Sequence, residues 1–303
     1  MTSGDWPEVH VATSVEHADA VEQWLFAAGA LSVTFRDDKD QPILEPAPGE
    51  VRLWDDLNLV GLFAQNKPDD DVHAALLLSA ALSGSEAPVY KLSRLQDAVW
   101  ERTWMDSFKP MQFGENLWVC PSFEEAPDPN AVTVRLDPGL AFGSGTHPTT
   151  AQCLRYLGSN PVSVHGRDVI DFGCGSGILA VAAAMLGAKS VRAVDIDPQA
   201  IKATRHNADA NNVSSIIDTG LPAMLETTTA CEVILANILC EPLLQLAPRF
   251  ASLMGLGGTL VMSGVLVEQI DSIRLGYNEW FNFDQIESQD EWALLVASKR
   301  AKR

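Results

Sequence analysis

Positive charge is scarce in this sequence: against 40 Asp and Glu it has 21 Lys and Arg, a formal net charge of −19. A surface that acidic repels phosphate over about one Debye length, roughly 8 Å in physiological salt. Direct nucleic-acid binding is therefore disfavoured, and the acidity serves either solubility or the attraction of a basic protein partner. Cysteine is also sparse. Cys120, Cys153, Cys174, Cys231 and Cys240 are odd in number, widely spaced and never in a CxxC, the pattern of reduced, buried thiols. The six histidines form no HExxH and no Cys/His cluster, so no metal site is expected. No apolar run reaches the roughly 20 residues a bilayer needs, the longest of small apolar type being ILAVAAAMLGA. The opening MTSGDWPEVHVATS lacks the basic and apolar regions of a signal peptide. These absences point to a soluble, cytoplasmic protein with no membrane contact.

What is present is a globular composition, 47% hydrophobic and 20% charged over 303 residues, a length that favours two domains. Residues 1–95 read as strand, helix, strand, twice over. The helical spacing of Val15, Ala18, Val21, Leu25 and Phe26 runs up to Gly29, and ALSVTFRD and NLVGLFAQ flank a Pro, Gly and Asp-rich connection at 37–56. DDDVHAALLLSAAL opens on three aspartates suited to the positive end of a helix dipole, and APVYKLSRL closes the unit. That order predicts a ferredoxin-like α+β domain, a small sheet with helices on one face. It carries sixteen Asp/Glu and six Lys/Arg, about half of the whole chain's net acidity.

Residues 96–130 are expected to form a linker helix and the first strands of the next region, with Trp100 and Trp104 one helical turn apart before Pro110. LWVCP and AVTVRLD read as paired strands joined by a polar turn. Over 131–303, strands and helices then alternate: RDVIDFG, SGILAVAAAMLGA, VRAVDID, PQAIKATRHNADANN, CEVILANIL, EPLLQLAPRFASLM, GGTLVMSGV and WALLVAS. Continuous apolar strands between helices predict an α/β doubly wound, Rossmann-like parallel sheet covered on both faces. The tail KRAKR reads as a solvated, mobile end.

Three strand ends carry the chemistry. VIDFGCGSGIL sets Gly173, Gly175 and Gly177 in a turn at a strand's carboxyl end, where ligands bind in open α/β sheets and where glycine lets backbone approach a ligand closely. The dinucleotide fingerprint would need glycine at position 178, and Ile178 stands there. Asp195, ending the second strand, suits the two hydroxyls of a ribose, which argues for an adenosine-type ligand without choosing among them. Asp197 before Pro198 is the better helix cap. Asn237 in ILANIL ends an apolar strand, where an amide demands a polar partner. Cys174 has no local base and is read as a small turn filler rather than a nucleophile.

The three tips together, DxGxGxG, an acid after the second strand and Asn237 after the fourth, resemble class I S-adenosylmethionine-dependent methyltransferases. With WMDSFKPMQFG, DPGLAFGSGTHPTT, DIDPQAI and ANIL, the resemblance narrows to the ribosomal protein L11 methyltransferase family, PrmA, over roughly residues 95–300. It implies cofactor contacts at Thr150, Gly173, Asp195 and Asn237. The glycines at 139, 143 and 145 are read as letting DPGLAFGSGTHPTT fold over the cofactor, Phe142 covering it while Thr146, Thr149 and Thr150 offer hydroxyls, with Gly175 and Gly177 completing the turn. Asn237 is the candidate for positioning the acceptor amine; no general base is nominated. Ser144, where threonine is common, and Cys240 with Glu241, where small residues are frequent, depart from the family pattern on the acceptor side. The implied reaction is methylation of lysines and an α-amine of the basic protein L11, free or on the ribosome. Residues 1–95 would choose that protein, and the chain would act as a monomer. An NAD-dependent dehydrogenase would use the same crevice but fits GxGxG and Asn237 poorly. A nucleic-acid methyltransferase would share the second domain, but the chain reads Asn237, Ile238, Leu239, Cys240 rather than NPPY.

Overall fold

The computed structural model describes residues 5–39, 55–84, 86–96, 109–137, 143–227 and 230–301. The chain divides into two compact units, Met1–Ser107 and Phe108–Arg303.

In the first unit the elements follow as β1 (Asp5–Ser14), α1 (Ala18–Ala27), β2 (Ser32–Asp37), β3 (Asp56–Leu62), α2 (Asp69–Ser83) and β4 (Lys91–Gln96). The strands lie in the order β2-β3-β1-β4, every pair antiparallel. This is the split βαβ topology expected of a ferredoxin-like unit. Alternation does the sorting: Val9 and Val11 of β1 and Leu57 and Leu59 of β3 are fully buried against Leu25 of α1 and Val72 and Leu76 of α2. Two side chains stitch the helices together, Trp24 Nε1 donating to the Leu76 carbonyl and Ser79 Oγ to the Trp24 carbonyl, each at 3.1 Å. The predicted helix from Val15 begins instead with a 3-10 turn at Val15–His17.

The second unit opens with a three-stranded sheet of β5 (Met111–Phe113), β6 (Leu117–Cys120) and β7 (Val132–Arg135). These strands pack within the second unit, and the tryptophan pair at 100 and 104 lies outside the described residues. β6 and β7 do pair, but in parallel. A tight turn cannot join parallel neighbours, so residues 121–131 must carry the chain back along the strand, and Asp137 fastens their start by accepting from Ser122 N and Oγ at 2.7 Å.

The large sheet comprises β8 (Asp168–Phe172), β9 (Ser190–Val194), β10 (Ile217–Gly220), β11 (Cys231–Asn237), β12 (Met254–Leu266), β13 (Phe281–Gln289) and β14 (Trp292–Lys299), in the order β10-β9-β8-β11-β12-β14-β13. Helices α3 (Pro148–Ser159), α4 (Ile178–Met185) and α5 (Pro198–Ala210) contribute to one core, α6 (Cys240–Leu253) and α7 (Ile270–Tyr277) to the other. Neighbours on a strand face opposite cores: Val169 and Val233 serve the first, Ile170 and Ile234 the second, all fully buried. That is why these strands read as continuous apolar runs.

The sheet is not wholly parallel, because β14 runs antiparallel to both β12 and β13. WALLVAS reads the same in either direction, so its pattern held no directional signal; the β13–β14 hairpin turns at Asp290, whose φ of 52° is left-handed. The C-terminal basic cluster also begins inside the fold. Lys299 Nζ donates to the Ala251 and Met254 carbonyls at 2.5 Å, at the carbonyl end of α6, and Arg300 Nε donates to Asn282.

Candidate cofactor site at the carboxyl ends of the parallel strands

The order β9-β8-β11 sets three carboxyl ends side by side, at the point where the chain turns from building one half of the sheet to the other. The turn after β8 works only with glycine at its corners. Gly173 and Gly177 both have φ of 79°, and Gly175 has 54°. A Cβ on Gly173 would come within 2.3 Å of Ile238 Cγ2, and one on Gly177 within 2.9 Å of the Thr204 Cα. The first glycine thus lets β11's tip close on the turn; the last lets α5 pack beneath α4.

Direct hydrogen bonds join the tips. Gly175 N donates to Asp195 Oδ2 and Asp197 N to Asp195 Oδ1, both at 2.9 Å. Each carboxylate oxygen retains acceptor capacity, the property a ribose diol requires. Asp197 instead accepts from Gln199 N at 2.8 Å as the cap of α5, with Pro198 at the first helical position. At the other tip Asn237 Nδ2 donates to Thr150 Oγ1 at 3.1 Å, reaching the first turn of α3. Ser176 Oγ donates to the Gly143 carbonyl at 2.6 Å, binding the loop before α3 to the glycine turn.

Gly175 with Asp195 and Asn237 with Thr150 are thus tied at neighbouring strand ends, and Gly173 lies close to Ile238, next to Asn237; Thr150 is 1% exposed and Gly177 is buried. Thr146 stays exposed, its hydroxyl paired with Ser144 at 2.8 Å. Thr149 turns inward, 2% exposed, against His147 Nδ1 at the cap of α3. Phe142 lies outside the described residues. A separate cavity of about 1030 Å³, lined in part by Pro248, Trp280, Asn282 and Lys299, sits by the early part of β12, away from these tips.

Comparison with known proteins bears on the same arrangement. The family model described as Ribosomal protein L11 methyltransferase (PrmA) matches residues 5–300. The chain belongs to the ribosomal protein L11 methyltransferase family. It is 46% identical over 295 residues to the ribosomal protein L11 methyltransferase of Enterobacter sp. (strain 638), covering 97% of this chain and 99% of the relative. To that of Shewanella amazonensis it is 47% identical over 300 residues, covering 98% and 99%. A crystal structure of the ribosomal protein L11 methylase from Lactobacillus delbrueckii subsp. bulgaricus superposes with a TM-score of 0.59 at 32% identity, over 64% of this chain and all of that one. The chain is thus a methyltransferase of the S-adenosylmethionine-dependent, Rossmann-like class, and the dehydrogenase reading falls.

Within this PrmA-family fold, two residues carry more than the sequence reading gave them. Asp171, 1% exposed at the end of β8, accepts from Ala180 N at 3.0 Å and so anchors the first turn of α4. Burial raises its pKa to about 7, the nearby charge of Asp195 adding to the effect. Its position among apolar strand residues, one before Phe172, was the available signal. Ser176, 5% exposed, serves the loop as described and also accepts from Ile178 N at 3.3 Å; nothing in a small polar residue between glycines announced that role. Cys174 is 6% exposed, with burial pushing its thiol up to about 12 and the Thr204 hydroxyl donating to it. It fills the turn and offers no thiolate.

Proposed function

We propose that the chain transfers methyl groups from S-adenosylmethionine to lysine side-chain and α-amino groups of ribosomal protein L11 in the cytoplasm. The observation that supports it most is the pair of bonds at the strand ends, Gly175 N to Asp195 between the tips of β8 and β9 and Asn237 to Thr150 between the tip of β11 and α3. Asp195 would take the ribose hydroxyls, the backbone around Gly173, Gly175 and Gly177 would lie against the cofactor, Thr146 and Phe142 would close it from the loop, and Thr150, in the first turn of α3, would contact it beside Asn237. The bound cofactor supplies a methyl group made electrophilic by its sulfonium. The protein's part is then alignment and exclusion of water. Asn237 would hold the acceptor amine in line; desolvation in the crevice lowers a lysine pKa from about 10.4 and frees the lone pair, with the released proton leaving to solvent. Residues 1–95 would select the protein substrate, their acidity raising encounter rates with a basic partner.

Purified L11 lacking methylation, incubated with the chain and methyl-labelled cofactor, should acquire label; an unlabelled L11 band in the presence of bound cofactor refutes the substrate assignment. Within the site, Asp195→Ala removes a charged acceptor and should weaken cofactor binding by about 10- to 100-fold. Thr150→Val, which removes one neutral hydrogen-bonding group, should cost about tenfold or less. Calorimetric titration with S-adenosylmethionine measures both, and an unchanged Kd for Asp195→Ala would dismantle the assignment of this crevice.

A further inference from the structure

Helix α2 is apolar almost all round beyond its first turn, yet it buries one side only. Val72, Leu76, Ser79 and Ala80 face the core, while Leu77, Leu78 and Leu82 are 48, 61 and 80% exposed, with Ala74 and Ala81 open beside them. At 100° per residue, positions 74, 77, 78, 81 and 82 form one continuous stripe opposite the buried side. The same periodicity puts Asp70 and Asp71 at the amino end of that stripe, both exposed. Asp69 points elsewhere and is occupied by Arg94. Helices that are apolar all round are found buried on all sides, so this face has the character of one that a partner covers.

We propose that the outer face of α2 is a docking surface for the protein substrate, taking an apolar segment of that protein with a cationic side chain over Asp70 and Asp71. This rests on the proposed function. Two observations select a transient, basic protein over a second copy of this chain. From the exposures of Leu77, Leu78 and Leu82 the stripe is on the order of a few hundred Å², below the ~800 Å² per partner of stable assemblies, which suits a substrate that must leave. The unit that carries it has sixteen acidic and six basic residues over positions 1–95, so two copies meeting face to face would repel, whereas a cationic protein is drawn in.

The test is steady-state methylation of intact L11 by the full chain and by a Leu78→Gln, Leu82→Gln double variant, chosen because glutamine keeps helix propensity and both positions are solvent-exposed. The KM for L11 should rise tenfold or more, with kcat, cofactor affinity and Tm unchanged. A second variant, Asp70→Asn with Asp71→Asn, should lower kcat/KM several-fold at low salt and match the wild type at high salt. An unchanged KM in the leucine variant, with wild-type L11 methylation intact, overturns the docking surface and leaves the function standing. A wild-type dimer by light scattering that becomes monomeric in the leucine variant overturns it as well, making α2 a self-association face. Wild-type chain that binds cofactor but leaves L11 unlabelled brings down the substrate assignment and the docking surface together.

Discussion

Helix α4 reads ILAVAAAM, and every residue from Ile178 to Ala184 is buried; helix α2 reads DDDVHAALLLSAALS, mostly apolar beyond its first turn apart from His73, Ser79 and Ser83, and leaves three leucines in solvent. Composition alone does not account for those exposed leucines, but the layers around the two helices do. α4 sits in a doubly wound unit, touching β8 and β9 beneath it, α3 and α5 beside it and β7 as well, so each of its sides meets protein. α2 belongs to a two-layer unit, where it packs beside α1 and over the sheet, and a two-layer arrangement leaves a helix one open face. An apolar helix is thus either enclosed by its fold or offered to something outside it. The sharpest way to break this comparison is to put a charge into both. Ala182→Asp, at a position with no exposed surface, buries an unpaired carboxylate and should cost more than about 4 kcal/mol, enough to abolish cooperative melting of the second unit. Leu78→Asp should change stability by less than about 0.5 kcal/mol. Similar losses in the two variants, by thermal or urea unfolding, would show that α2's open face is structural.

The same contrast explains what could be read beforehand. The ferredoxin-like order and the alternation of the second unit were legible because Val9 and Val11, or Val169 and Ile170, carry period and burial in their own side chains. Strand β10, reading IDTG, and β13, reading FNFDQIESQ, were not, because edge strands exposed to water lose the apolar signal that marks their neighbours. The direction of β14 and the parallel pairing of β6 with β7 depend on how distant segments meet, which periodicity does not encode. Among the candidate site residues, the placement of Gly173, Asp195 and Asn237 at neighbouring strand ends was legible because each is chemically odd where it stands. Ser176 and Asp171 act through single hydrogen bonds to Gly143 and Ala180, and such partners exist only once the chain has folded.

A second prediction concerns how the two helices are held at their amino ends, each by carboxyl groups. For α4 the group is Asp171, buried, with its pKa raised to about 7 from an ordinary 3.8. Between those values the folded protein keeps a proton on Asp171 that the unfolded chain has released, so the contribution of Asp171 to stability is greatest at low pH and declines as pH rises toward 7. One unit is worth about 1.4 kcal/mol, and the loss between pH 5 and 7 should approach 2–3 kcal/mol. Asp171→Asn keeps an acceptor for Ala180 N but cannot titrate. The stability difference between wild type and variant, from urea melts across this range, should therefore slope downward with pH. A flat difference would mean that Asp171 is ionised throughout, and that α4 is anchored by a buried charge rather than a neutral acid.

At α2 the corresponding groups are exposed, and the effect should be the smallest. Pro68 at its cap makes no side-chain bond and Asp69 is paired with Arg94, leaving Asp70 and Asp71 to act on the helix through the dipole. Asp70→Asn with Asp71→Asn should lower the stability of the first unit by a few tenths of a kcal/mol to about 1 kcal/mol at low salt and by nothing measurable at high salt, because exposed charges are screened. Thermal melts at two ionic strengths check it. The size matters for the docking surface: carboxylates that contribute so little to their own helix are free to spend their field on a partner. A salt-independent loss of several kcal/mol would tie them to the fold instead, and would remove the electrostatic half of the argument for a basic protein at this face.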